Sequence, residues 1–160
     1  MIEDLQAPGS APADLEAVRG QRRSLRRALS ALEDALAAPM AGHERDWVAK
    51  LLHTLEHLSE VFEHHVEVTE GPGGLYEDVL DMAPRLDNVI RRFRIDHEAI
   101  RAGIAADRAR LQAWGLGDAT VDLEPVRRRL TRLLGRLVRH RQQGAELIYE
   151  AYAVDIGGES

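Results

Sequence analysis

The sequence predicts an all-α fold, an up-down-up-down four-helix bundle. Three observations carry that prediction. Four long segments, about 12–38, 46–70, 85–113 and 123–152, place apolar residues at alternating three- and four-residue steps, the period of one helix face. Gly and Pro gather at a few places, chiefly the breaks between these segments, where they end helices. Strand-type alternation runs over no comparable length. Short to moderate connections then make successive helices antiparallel neighbours.

The elements follow in order. A flexible leader over 1–12 contains Pro8-Gly9-Ser10-Ala11-Pro12. Ser10 is placed to cap the first helix, with Pro12 tolerated in its opening turn and Asp14 and Glu16 at its positive end. The bundle is expected over 13–153, followed by a polar tail over 154–160. The first seam reads Leu15, Val18, Arg22, Leu25, Leu29, Leu32, Leu36, and Pro39 to Gly42 interrupts it. The second reads Val48, Leu51, Leu55, Leu58, Phe62, His65, Thr69, and stops at Gly71-Pro72-Gly73-Gly74. A short helix near 75–83 and Pro84 precede the third seam: Leu86, Ile90, Phe93, His97, Ile100, Ile104, Leu111. After the longest connection, Trp114 to Pro125, the fourth reads Val126, Leu130, Leu133, Leu137, His140, Gly144, Leu147, Ala151.

Composition narrows the chemistry. A chain of 160 residues fits one domain with a real core and no disulfides. The absence of cysteine removes thiolate catalysis, zinc–thiolate sites and iron–sulfur clusters, so any metal must be held by His, Asp or Glu. A net charge of −6 matches nucleic acid and anionic membranes poorly, and the Arg-rich stretches 19–27, 91–94 and 127–141 read as solvated helix faces. No apolar run suits a membrane span and the first residues lack a signal-peptide layout, so a cytoplasmic location is expected. Neither a Gly-x-Ser-x-Gly turn nor a phosphate loop nor a dinucleotide fingerprint is present.

Each seam turns polar near one place, at Arg22, His65, His97 or His140. Counting up or down from the helix starts puts all four within roughly two turns of one level, a polar layer inside the bundle. Neutral imidazole is a good ligand for iron, zinc or copper, and one bound metal explains three converging histidines together. His53, His57 and His64 share the opposite face of the second helix with Glu56, Glu60, Glu63 and Glu67, which reads as solvated; His43 lies in a break. Glu70 ends the second helix at its negative pole and needs a partner there, a metal or a buried arginine. Glu146, six residues after His140, points well off the seam unless the helix distorts near Gly144. Arg22 either pairs with Glu70 inside the bundle or runs out along the surface. Tyr149 and Tyr152 read as ordinary amphipathic packing.

These residues resemble the hemerythrin-like, or HHE cation-binding, domains over about residues 13–153. The carriers are the three inward histidines, His65-Val66-Glu67-Val68-Thr69-Glu70 on the second helix, Ile95-Asp96-His97-Glu98-Ala99-Ile100 on the third, and Arg139-His140 before Leu147-Ile148-Tyr149 on the fourth. The resemblance implies a four-helix bundle with non-haem iron, one ion or two, and a response to oxygen or nitric oxide or modest redox chemistry. The residues themselves offer His65, Glu70, His97 and His140 as metal ligands, three imidazoles and one carboxylate, with Glu146 a further candidate and open positions for a small diatomic molecule or water. The chain also departs from the family pattern. Arg22 stands where the first helix usually supplies a histidine, and Gly144 and Ala145 stand where a second carboxylate usually follows the last histidine. Thr69 takes the usual place of the second-helix acid, with Glu70 one residue further on. Those substitutions support the alternative reading, a metal-free bundle used as a binding or regulatory module.

Overall fold

Among the described residues, five α-helices realise the predicted segments: α1 (Ala11–Ala37), α2 (Glu44–Glu70), α3 (Leu75–Met82), α4 (Asp87–Gly115) and α5 (Leu123–Ile156). The computed structural model describes the backbone of residues 11–156 and the side chains of 16–153. Ser10 and nearly all of the leader and tail lie outside these limits. The four long helices form a bundle in which α1 packs on α2 and α5, and α4 packs on the same two. No strand occurs among the described residues, and none of their helices is long and apolar enough to cross a membrane.

Local chemistry sets the breaks. Beyond α1, Pro39 cannot continue a helix, and Gly42 turns the chain at φ +79°. Glu44 and Asp46 then suit the positive end of α2. At the other end of α2 the backbone folds back so closely that a Cβ on Gly74 would meet the carbonyl oxygens of Gly71, Val68 and Thr69 at 2.7–2.9 Å. Only glycine fits there, and the tight turn carries α3 across the end of the bundle. A 3₁₀ turn, Pro84–Leu86, leads into α4.

The seams pack as their spacing requires. Leu25, Leu32, Leu51, Leu55, Leu58, Phe62, Ile100, Leu111, Leu130 and Leu137 form the heart of a long apolar cluster. A second, smaller cluster joins Tyr76 and Val79 of α3 to Ile90, Phe93, Leu147 and Ala151. His97 and His140 are buried and His65 partly buried, and all three lie where these two clusters meet. α3 therefore covers the far side of the polar layer.

One buried charge has no counterpart in the sequence reading. Asp107 is buried near the other end, its Oδ1 accepting from Arg110 Nη1 at 2.8 Å and Arg129 Nε at 3.0 Å. Both guanidinium groups are partly exposed and can return to water, whereas the carboxylate cannot. Arg129→Ala is therefore expected to cost about 1–3 kcal/mol, and Asp107→Leu distinctly less. Urea unfolding of both variants checks this, and the reverse order would refute it.

Candidate metal centre

Three ring nitrogens meet inside the bundle. His65 comes from α2, His97 from α4 and His140 from α5, each at the seam position that faces the axis. His140 Nε2 lies 2.9 Å from His97 Nε2 and 3.2 Å from His65 Nε2. The rings stand at steep angles, 79° between His65 and His140 and 81° between His65 and His97, so they point inward without stacking.

The outer ring nitrogens decide what the inner ones can do. His65 Nδ1 faces Gln21 Oε1 at 3.0 Å and His140 Nδ1 faces Asp96 Oδ2 at 2.8 Å. Both oxygens only accept, so each Nδ1 carries the proton and donates it. His97 Nδ1 lies 3.2 Å from Glu70 Oε1, close enough for attraction but without hydrogen-bond alignment. With those two protons held outside, the Nε2 lone pairs of His65 and His140 face each other at 3.2 Å, whereas His97, whose Nδ1 has no aligned partner, is free to carry its proton on Nε2 and donate it to His140. The approach of His65 to His140 is repulsive unless a cation sits between them. Neighbouring nitrogens about 2.1 Å from one metal ion and at right angles to each other stand roughly 3 Å apart, which these separations match.

Burial supports the neutral form. It pushes His65 down to about 3, helped by the charges of His140 and Arg22, and His97 down to about 2, helped by His65 and His140. Burial also lowers His140, against the opposing pull of Asp96. Neutral rings are the form a metal needs. Tyr76, raised by burial, stays a phenol and places its hydroxyl 3.3 Å from His97 Nε2, its ring stacked on the imidazole at 17°.

The remaining expected residues are arranged differently. Glu70 is raised by burial, opposed by Arg94 and Arg101, and stands behind His97 instead of beside the three Nε2 atoms. Of the two readings of Arg22, the pair with Glu70 does not form; Arg22 is half-buried beside a cavity that His65 also lines. Its neighbour Gln21 is the first-helix residue that touches a histidine. Glu146 is exposed in an outer groove between α4 and α5, away from the rings. His43, His53, His57 and His64 are exposed, as is Tyr149, while Tyr152 packs against the smaller cluster.

Sequence reasoning missed Gln21, Asp96 and Tyr76. Asp96 had a signal available, an acid immediately before a seam histidine. It lies on the rim, where its other oxygen accepts from Arg136 Nε.

An antiparallel helical bundle that closes three inward-facing imidazoles on one point belongs to the class of bundle domains able to hold a metal ion. The hemerythrin HHE cation-binding domain model matches residues 13–152, and the chain belongs to that family. Neither a curated protein nor a solved structure matches it.

Proposed function

We propose that this chain holds one iron ion on His65, His97 and His140 and uses it to bind or sense a small diatomic molecule, oxygen or nitric oxide. The observation that carries the reading is the meeting of the three Nε2 atoms, two of them 2.9 and 3.2 Å from the third, with the protons of His65 and His140 committed to their outer nitrogens. Bound iron would supply open coordination positions and one-electron chemistry. The chain's own part is to present three neutral donors, orient them from behind, and exclude bulk water. Gln21 and Asp96 fix the ring direction of His65 and His140; Glu70 lies behind His97, where a modest reorientation gives the same support. Tyr76 keeps a hydroxyl donor at the rim of the centre.

A single ion is favoured because, among the described residues, one group of three ligand atoms is gathered and no carboxylate joins it. Protein made in iron-rich medium is expected to carry close to one iron per chain, with a visible or near-ultraviolet absorption that chelation removes. A folded protein without stoichiometric metal would overturn this. The competing metal-free module draws on the same missing carboxylate; it predicts a melting temperature that chelators leave unchanged.

A further inference from the structure

A cavity adjoins the imidazoles of His65 and His140 on the α1 side, bounded by α1, α2 and α5, by Leu75 and Tyr76 of α3 and by Phe93 of α4. Its polar walls are Gln21, Arg22, Thr69, Tyr76 and Arg141, together with His65 and His140 themselves. Among the described residues no Asp or Glu lines it, in a chain that has 27 acids and a net charge of −6. Asp96 and Glu70 are turned to the outer ring edges. The pocket thus sets two arginines and an amide among walls that are otherwise largely aliphatic.

Two further observations are independent of that lining. Gln21 is buried to 4% exposure and commits its oxygen to His65, which leaves its Nε2 enclosed without a hydrogen-bond partner. A buried amide donor left unpaired is costly, and a ligand that accepts from it removes the cost. At Gly144 an added Cβ would meet nothing within 4 Å, so the absent side chain leaves open space on the α5 wall. The free volume is about 30 Å³. One water needs roughly 10–15 Å³ by this measure, so the space suits two waters or one ion of three or four heavy atoms.

We propose that this cavity binds a small anion of three or four heavy atoms, with Gln21 Nε2 and the guanidinium groups of Arg22 and Arg141 as its donors. This deepens the metal reading by naming a ligand class for the same centre, and it rests on that reading only for the ion beside the pocket. A neutral diatomic molecule leaves these donors unused; a carboxylate-sized anion satisfies them in surroundings that strengthen each contact.

Formate and its neutral isostere formamide test the charge requirement. Each is titrated by calorimetry into the full chain, with metal and after chelation. Formate is expected to bind at one site at least tenfold more tightly than formamide in both forms. Gly144→Leu fills the pocket from α5 without replacing a histidine, and leucine favours the helix, so it is expected to keep the metal content and lose formate at least tenfold. Gln21→Leu is expected to weaken formate similarly. Equal binding of formamide, or an unchanged formate affinity in Gly144→Leu, would overturn the proposal. Metal retained with no formate binding defeats the pocket alone; formate bound by a chain that takes up no metal defeats the iron reading alone.

Discussion

His97→Leu is expected to lose its metal while its metal-free form melts no lower than the metal-free parent. His97 is fully enclosed, and burial holds its ring neutral with a pKa of about 2. Its Nδ1 makes no aligned hydrogen bond, while its Nε2 lies 2.9 Å from His140 Nε2 and 3.3 Å from the Tyr76 hydroxyl. Without a metal the ring is therefore a buried polar group with one nitrogen left unsatisfied. A leucine of similar size removes that penalty at little packing cost. With metal the sign reverses. A site filled at a thousandfold excess over its dissociation constant adds about 4 kcal/mol, roughly 8–16 °C for a domain of this size. The variant forfeits that gain. Melting curves with and without chelator, alongside metal analysis, check both halves. A metal-free variant that melts many degrees lower would show that His97 is a packing residue and not a ligand.

The bundle was legible because burial and helical period coincide over long stretches. Leu86, Ile90, Phe93, His97, Ile100, Ile104 and Leu111 are all buried along α4, as their spacing requires. The polar layer was legible for the same reason, since three histidines interrupt three otherwise apolar seams. The first helix was harder. Its seam passes between Gln21 and Arg22, and a search for charge or imidazole stops at Arg22, whereas the buried contact is made by an uncharged amide. An amide becomes informative only when the atom opposite it is known. Tyr76 stayed hidden because its place depends on how a short helix folds back through the Gly71–Gly74 turn, which periodicity does not report. Glu70 was found for a sound electrostatic reason, its position at a helix C-terminus, but a one-turn uncertainty spans the distance between a ring's inner and outer nitrogen. Asp107 illustrates the same limit: an acid on a seam reads as a solvated interruption until its two arginines are seen.

Phe62→Ala is expected to be the most destabilising single change, at about 3–5 kcal/mol, because it empties a fully enclosed aromatic site. The position has a second role. Phe62 lies one turn before His65 on α2 and stacks on its ring at 5.6 Å and 25°. The same phenyl meets His97 edge-on at 5.6 Å and His140 at 6.4 Å. It is thus the floor on which all three imidazoles rest, joining the large apolar cluster to the polar layer. Truncation opens space beneath the rings and frees rotamers that the metal needs fixed, so metal affinity is expected to fall at least tenfold even in the fraction that stays folded. Phe62→Leu keeps most of the volume and separates the two roles, with a stability loss expected below about 1.5 kcal/mol and a metal affinity still reduced, because a branched aliphatic chain gives the rings no flat face. Urea unfolding of the metal-free variants and competitive metal titration of the folded ones provide the two readings. If Phe62→Leu bound metal as tightly as the parent, the rings would be held by Gln21, Asp96 and Glu70 alone, and the phenyl would serve the core and nothing else.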